Sequence, residues 1–223
     1  MSAQPRLDAQ ALPTETRSAS RLVDLRFRAL LGPVEWETLP ADVRRRFSKR
    51  LSGSDAAIYV GRITELAMNR AGRMLSQVLR VIGAPLPICL DTDVASVVTV
   101  TEDAATGGQI WTRLYARRDG FPQVIHSAKR FAGPTGLEEY VGYGVAMPLT
   151  LSAEEGALVF RSAGYVLRLG RFRLPLPGWL SPGALTVIHR ETGEGAFEFT
   201  LDLRHPLFGA LLRQSGSYRD QRA

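Results

Sequence analysis

Between Gln109 and Arg117 every second side chain is Gln109, Trp111, Arg113, Tyr115 or Arg117, and those between are Ile110, Thr112, Leu114 and Ala116. Successive side chains of an extended strand leave opposite faces, so Trp111, Arg113 and Tyr115 share one face whichever way it turns. Turned inward, that face makes an interior with aromatic walls and one buried cation, which needs a carboxylate or an anionic ligand head beside it. Turned outward, Trp111 and Tyr115 cover a helix while Arg113 reaches water along its aliphatic stem. Glu138 and Glu139 begin a further strand on opposite faces, so at most one of them enters the same interior, and either can supply Arg113 with a counter-charge. Glu139 shares its face with Val141 and Tyr143. The opposite facing also removes the two carboxylates as a general acid and base, which must converge on one bond.

Other chemistry finds less support. His126, His189 and His205 lie on three different strand-like runs without local ligand spacing, and the single Cys89 has no histidine near it in sequence, so neither a metal nor another cofactor is expected. Ser162, in Arg161-Ser162-Ala163-Gly164, lacks the strand-to-helix context of a nucleophile elbow. His205 precedes Pro206-Leu207-Phe208-Gly209, the end of a strand turning a corner, where an imidazole is expected to hydrogen-bond within the turn. From Arg171 to Gly183, Pro175, Pro177 and Pro182 prevent a regular central strand, yet Phe172, Leu174, Leu176, Trp179 and Leu180 need burial. Packing against helices, a lid over a cavity, and a partner or membrane surface all satisfy that need.

The elements that position these residues are strands. Val23, Phe27, Leu30 and Leu31 recur at helical spacing before Gly32-Pro33, and Val43, Phe47 and Leu51 form a second short stripe after Pro40. A strand is expected over Ala57–Met68. A helix follows, with Met74, Leu75, Val78, Leu79 and Ile82 on one face and Gly83 and Pro85 at its end. Strand-like runs then cover Ala95–Glu102, Gln109–Arg117, Gln123–Phe131, Glu138–Leu151, Ala157–Leu174, Leu185–Arg190 and Ala196–Arg204. The gaps between them are too short for parallel crossovers, which makes the sheet antiparallel. The long run Ala157–Leu174 has Gly164 and Gly170 as bending points, as in barrels and deeply curved sheets. The fold class is therefore α+β, mainly antiparallel β: a strongly curved sheet or calycin-like barrel with short N-terminal helices and one helix after the first strand.

The chain has 223 residues, 45% of them hydrophobic, which suits one β-rich domain over residues 21–223 behind a polar, disordered leader over residues 1–20. Its net charge of +6 comes from arginine, since Lys49 and Lys129 are the only lysines. The arginines are scattered through nearly every segment instead of forming a stripe, so nucleic acid is not expected as a partner. The uncharged stretch Tyr140–Ala153 holds Pro148 and two glycines and is too short for a spanning helix. One cysteine excludes an intramolecular disulfide framework and fits a cytoplasmic location.

Several of these motifs, in their order, are similar to a family. Phe27-Arg28-Ala29-Leu30-Leu31-Gly32, Leu39-Pro40, Arg46-Phe47, Trp111-Thr112-Arg113, Gly136-Leu137 with Glu139, Leu158 to Tyr165, Leu174-Pro175-Leu176-Pro177, Trp179-Leu180 and His205-Pro206-Leu207-Phe208-Gly209 resemble the bacterial domain of unknown function 4166. The resemblance implies no established activity and carries over no catalytic residue. It does imply an association with dehydrogenase-like oxidoreductase domains, to which that family is found appended. The expectation is a binding module for a small, largely apolar ligand contacted by Trp111, Arg113, Tyr115, Glu139, Tyr143 and Tyr165. The alternative is an enzyme or accessory domain that acts on a small substrate together with an oxidoreductase partner.

Overall fold

Ten strands of the chain close into an antiparallel barrel in the computed structural model, which describes residues 23–53 and 55–221. The leader expected over residues 1–20 lies outside the described residues. The strands are β1 (Ala56–Met68), β2 (Ala95–Asp103), β3 (Gly108–Tyr115), β4 (Gln123–Arg130), β5 (Glu138–Gly142), β6 (Val145–Glu154), β7 (Ala157–Ser162), β8 (Val166–Leu169), β9 (Phe172–Pro175), β10 (Ala184–Gly193), β11 (Ala196–His205) and β12 (Gly209–Asp220). Around the ring the order is β5-β4-β3-β2-β1-β12-β11-β10-β7-β6, and β6 pairs back with β5. β8 and β9 form a hairpin attached to the start of β6 outside the ring.

The strands differ from the sequence reading in three places. The run Glu138–Leu151 is two strands, because Tyr143 and Gly144 both adopt positive φ (46° and 85°) and make a two-residue hairpin turn. The turns Glu155-Gly156 and Glu194-Gly195 have the same form. Ala157–Leu174 is cut into β7, β8 and β9, with Gly164 and Gly170 in the breaks at φ 104° and 59°. β12, which was not anticipated, pairs with both β1 and β11 and so joins the first strand to the last hairpin.

Short helices occupy the two ends. α1 (Arg26–Leu31), α2 (Pro33–Thr38) and α3 (Ala41–Phe47) plug one end, where Phe27, Trp36, Leu39, Val43 and Phe47 are buried against Leu137, Phe160 and Phe197 of the barrel. At the other end α4 (Arg70–Val78) continues as a 3-10 turn, Leu79–Ile82. The Asn69 side chain caps α4 by accepting from the Gly72 N–H (2.8 Å) and donates to the Phe208 carbonyl (2.8 Å), which ties the helix start to the β11–β12 turn. The apolar face expected on this helix divides. Leu75 and Leu79 pack with Leu185, Leu203, Leu211 and Leu212, whereas Met74 and Val78 are exposed.

Gly72 sets how closely α4 lies on β12, since a Cβ there would stand 2.0 Å from the Leu211 carbonyl oxygen. Backbone cannot yield as a side-chain tip does. Gly72→Ala is expected to lift α4 at a cost of about 1–3 kcal/mol, read as a lower Tm together with faster amide exchange confined to residues 70–82.

Candidate functional site

Inside the barrel, between α4 and the plugged end, is a cavity of about 470 Å³, within the range of small-molecule sites. Most of its wall is hydrocarbon: Leu75, Leu79 and Ile82 from the helical end, Val98, Ile125, Met147 and Phe160 from the strands, and Leu176, Leu180 and Pro182 from the proline-rich segment. Val78, Val81 and Leu180 line it yet are each more than half exposed, so it reaches solvent between α4 with its 3-10 turn on one lip and the segment after β9 on the other.

One part of the wall is charged. Pairing places Lys129 of β4 directly opposite Glu139 of β5, and Ser127 opposite Trp111 of β3 with Arg113 two residues on. These side chains converge. Lys129 Nζ donates to Glu139 Oε2 (2.6 Å), Ser127 Oγ donates to Glu139 Oε1 (2.6 Å), and Arg113 gives Nη2 to the same Oε1 (3.3 Å) and Nη1 to Ser127 Oγ (3.0 Å). The Lys129 ammonium also lies 4.9 Å from the Trp111 ring centroid. Among the described residues that line the cavity, Arg113 and Lys129 are basic and only Glu139 is acidic. The wall therefore sets two basic groups against one carboxylate.

Burial governs how these groups titrate. It disfavours the Glu139 carboxylate, but Lys129 and Arg113, with the hydrogen bonds from Lys129 and Ser127, outweigh it and hold the carboxyl far below its ordinary value. For Lys129 burial wins: the ammonium pKa is lowered, first by desolvation and then by Arg113, against the pull of Glu139. Glu139 is thereby held as the carboxylate between the Lys129 amine and the Arg113 guanidinium.

The two orientations open for Arg113 are thus resolved inward. Trp111, Arg113, Tyr115, Glu139 and Tyr165 all line the cavity. Tyr143 does not. It occupies the β5–β6 turn and is 75% exposed, because the turn reverses the chain just where an unbroken strand would have carried Tyr143 along the inner face. Glu138, on the other face, is buried beneath the β8–β9 hairpin, where Arg173 donates to it and Arg168 lies 3.9 Å away. Lys129 and Ser127 were missed as site residues. The available signal was parity, since Gln123, Ile125, Ser127 and Lys129 alternate along one face and Lys129 is one of two lysines in an arginine-rich chain. His205 serves its turn as expected, accepting from the Leu207 N–H at 3.1 Å.

A second polar cluster lies toward the plugged end. Arg46 of α3, with its side chain 2% exposed, pairs with Glu191 of β10, stacks over the Phe197 ring at 4.1 Å and meets His189 Nε2 at 3.0 Å. A guanidinium only donates, so Nε2 accepts and the imidazole hydrogen sits on Nδ1. Burial, and then Arg46, lowers the His189 pKa well below its ordinary value, which keeps the ring neutral. His126, His189 and His205 do not converge, and among the described residues no three His, Cys, Asp or Glu side chains gather as metal ligands would.

No helix among the described residues is long and apolar enough to cross a membrane. A family model described as "Domain of unknown function (DUF4166)" matches residues 39–218. Neither the curated proteins nor the solved structures that were searched give a match.

Proposed function

The chain belongs to this family of unknown function, and from the geometry of its barrel we propose that it binds a small, mainly apolar ligand with an anionic head. One observation carries the reading: an apolar cavity of about 470 Å³ whose wall bears Arg113 and Lys129 against the single carboxylate of Glu139. A buried charge without a counter-ion costs several kcal/mol, and a ligand carboxylate or phosphate at the Lys129–Arg113 edge would remove that cost. Trp111, Tyr115 and Tyr165 form the wall around the head, and the leucines of α4 and of the segment after β9 receive the tail. The oxidoreductase partner implied by the family resemblance would supply or take up this ligand. A cytoplasmic location belongs to the same proposal, motivated by the single cysteine.

The test is a pair of probes, a fluorescent long-chain polyene fatty acid and its methyl ester, which share a tail and differ in the head. The acid is expected to bind about tenfold or more tightly than the ester, as a hydrogen bond to a charged group implies. Lys129→Met leaves Arg113 and Glu139 as a balanced pair and should bring the two probes level. Equal binding of acid and ester by the unaltered protein, or binding of neither, refutes the proposal.

A further inference from the structure

The two ends of the barrel differ in charge as well as in closure. Antiparallel order brings the end of β1, the start of β10 and the β3–β4, β5–β6 and β11–β12 turns to the mouth end, where α4 lies. Three segments there, residues 69–90, 163–183 and 203–213, carry eight arginines and no aspartate or glutamate. Arg70, Arg73 and Arg171 are exposed and have no acidic partner among the described residues. At the plugged end the helices and turns carry Glu35, Glu37, Asp42, Glu102, Glu155 and Glu194 among their basic residues.

The mouth end also carries the large apolar side chains that the fold leaves uncovered. Trp179 is 79% exposed beside Leu180 on one lip, Val81 is 77% exposed on the other, and Leu207 and Phe208 project from the β11–β12 turn to which α4 is tied. Residues of this kind standing among arginines match a bilayer interface, where apolar side chains enter the acyl boundary and basic ones meet anionic headgroups. The outer faces of the strands do not: Arg62, Arg190, Glu198 and Asp202 are charges that a spanning barrel does not turn to lipid.

We infer that the mouth end docks on an anionic lipid membrane, with the Trp179 loop, the β11–β12 turn and the 3-10 turn after α4 at the surface, so that the cavity exchanges its ligand with the bilayer. The exchange rests on the cavity reading above; the docking itself does not. Charge chooses the occupant, because a second copy of this chain would set arginine against arginine.

The experiment adds the 223-residue chain to phosphatidylcholine vesicles with or without phosphatidylserine, read by co-sedimentation and tryptophan emission. Trp36 and Trp111 are buried, so a blue shift reports on Trp179. Binding about tenfold or more tighter to the phosphatidylserine vesicles, weakened by salt, is expected. The triple variant Arg70→Glu, Arg73→Glu, Arg171→Glu should lose that preference, whereas Arg28→Glu with Arg45→Glu at the plugged end should keep it. Trp179→Ser should weaken binding and abolish the shift. None of these residues lines the cavity, so binding of the soluble fatty acid probe should persist in every variant. Probe binding with no attachment to vesicles, or attachment indifferent to phosphatidylserine, overturns the docking and leaves the cavity reading standing. Attachment without probe binding does the reverse. Self-association that protects Trp179 in the absence of lipid also overturns the docking.

Discussion

Glu139→Gln should destabilise the protein by about 3–5 kcal/mol, the usual cost of removing one partner from a buried ion pair. The substitution keeps the shape of the side chain and removes the only carboxylate among the described residues that faces Arg113 and Lys129, so two basic groups remain in an apolar wall. The pH dependence separates this cause from a packing defect. In the unaltered protein the folded-state pKa of Glu139 lies below its ordinary value of 4.5, so its contribution is complete above that value and is lost as pH falls below it. The variant lacks that acid-side loss and should show a flatter curve below about pH 4.5. On the alkaline side the order reverses. Lys129 already has a lowered pKa, and without Glu139 it falls further, so the variant should regain stability as pH rises toward the ordinary lysine value of 10.5. Chemical denaturation across pH measures both limbs. An anionic amphiphile should raise the Tm of Glu139→Gln more than that of the parent, since it then faces two unpaired cations. A variant as stable as the parent at neutral pH would show that the charged wall is screened by water and is not the buried cluster described here.

The second large effect is expected at the plugged end. Arg46→Met removes the donor to Glu191 and His189 and the cation over Phe197, at a cost again of about 3–5 kcal/mol, because Glu191 is left nearly buried without its partner. Methionine retains much of the arginine stem, so the loss reports on the head group more than on volume. The His189 pKa should rise, because Arg46 is the second cause holding it down, after burial. In the parent, the folded-state pKa of His189 lies below its ordinary value of 6.5, so the unfolded chain takes up a proton there first and stability falls as pH drops below 6.5. In the variant that fall should shrink. Imidazole NMR titration together with denaturation at neutral and mildly acidic pH tests the pair of changes. An unchanged His189 titration would mean that Arg46 does not address the ring. The expected loss is global, in contrast to the local loosening expected at Gly72, because α3 anchors the aromatic cluster of Phe27, Phe47, Phe160 and Phe197.

Strand character, antiparallel pairing and the common face of Trp111, Arg113 and Tyr115 follow from the sequence, because alternation and short glycine-bearing turns are local properties of a chain. The same locality placed Glu138 and Glu139 on opposite sides before either had a partner. Hairpin positions were less legible where the turn was Tyr143-Gly144 instead of an asparagine or aspartate pair, and Tyr143 was carried onto the wrong surface as a result. β12 escaped notice because Leu211, Leu212, Gln214, Ser215 and Gly216 read as a weak strand until β1 and β11 flank them.

Only the tertiary structure decided which face of β3 is the interior. That choice depends on ring closure, on the pairings of β1 with β12 and of β6 with β5, and no pattern within one strand encodes it. Closure brought Lys129 opposite Glu139 and set Arg113 beside both. It also gathered the exposed hydrocarbon and the arginines of three separate segments at one mouth, because antiparallel strands in a barrel deliver alternate turns to the same end.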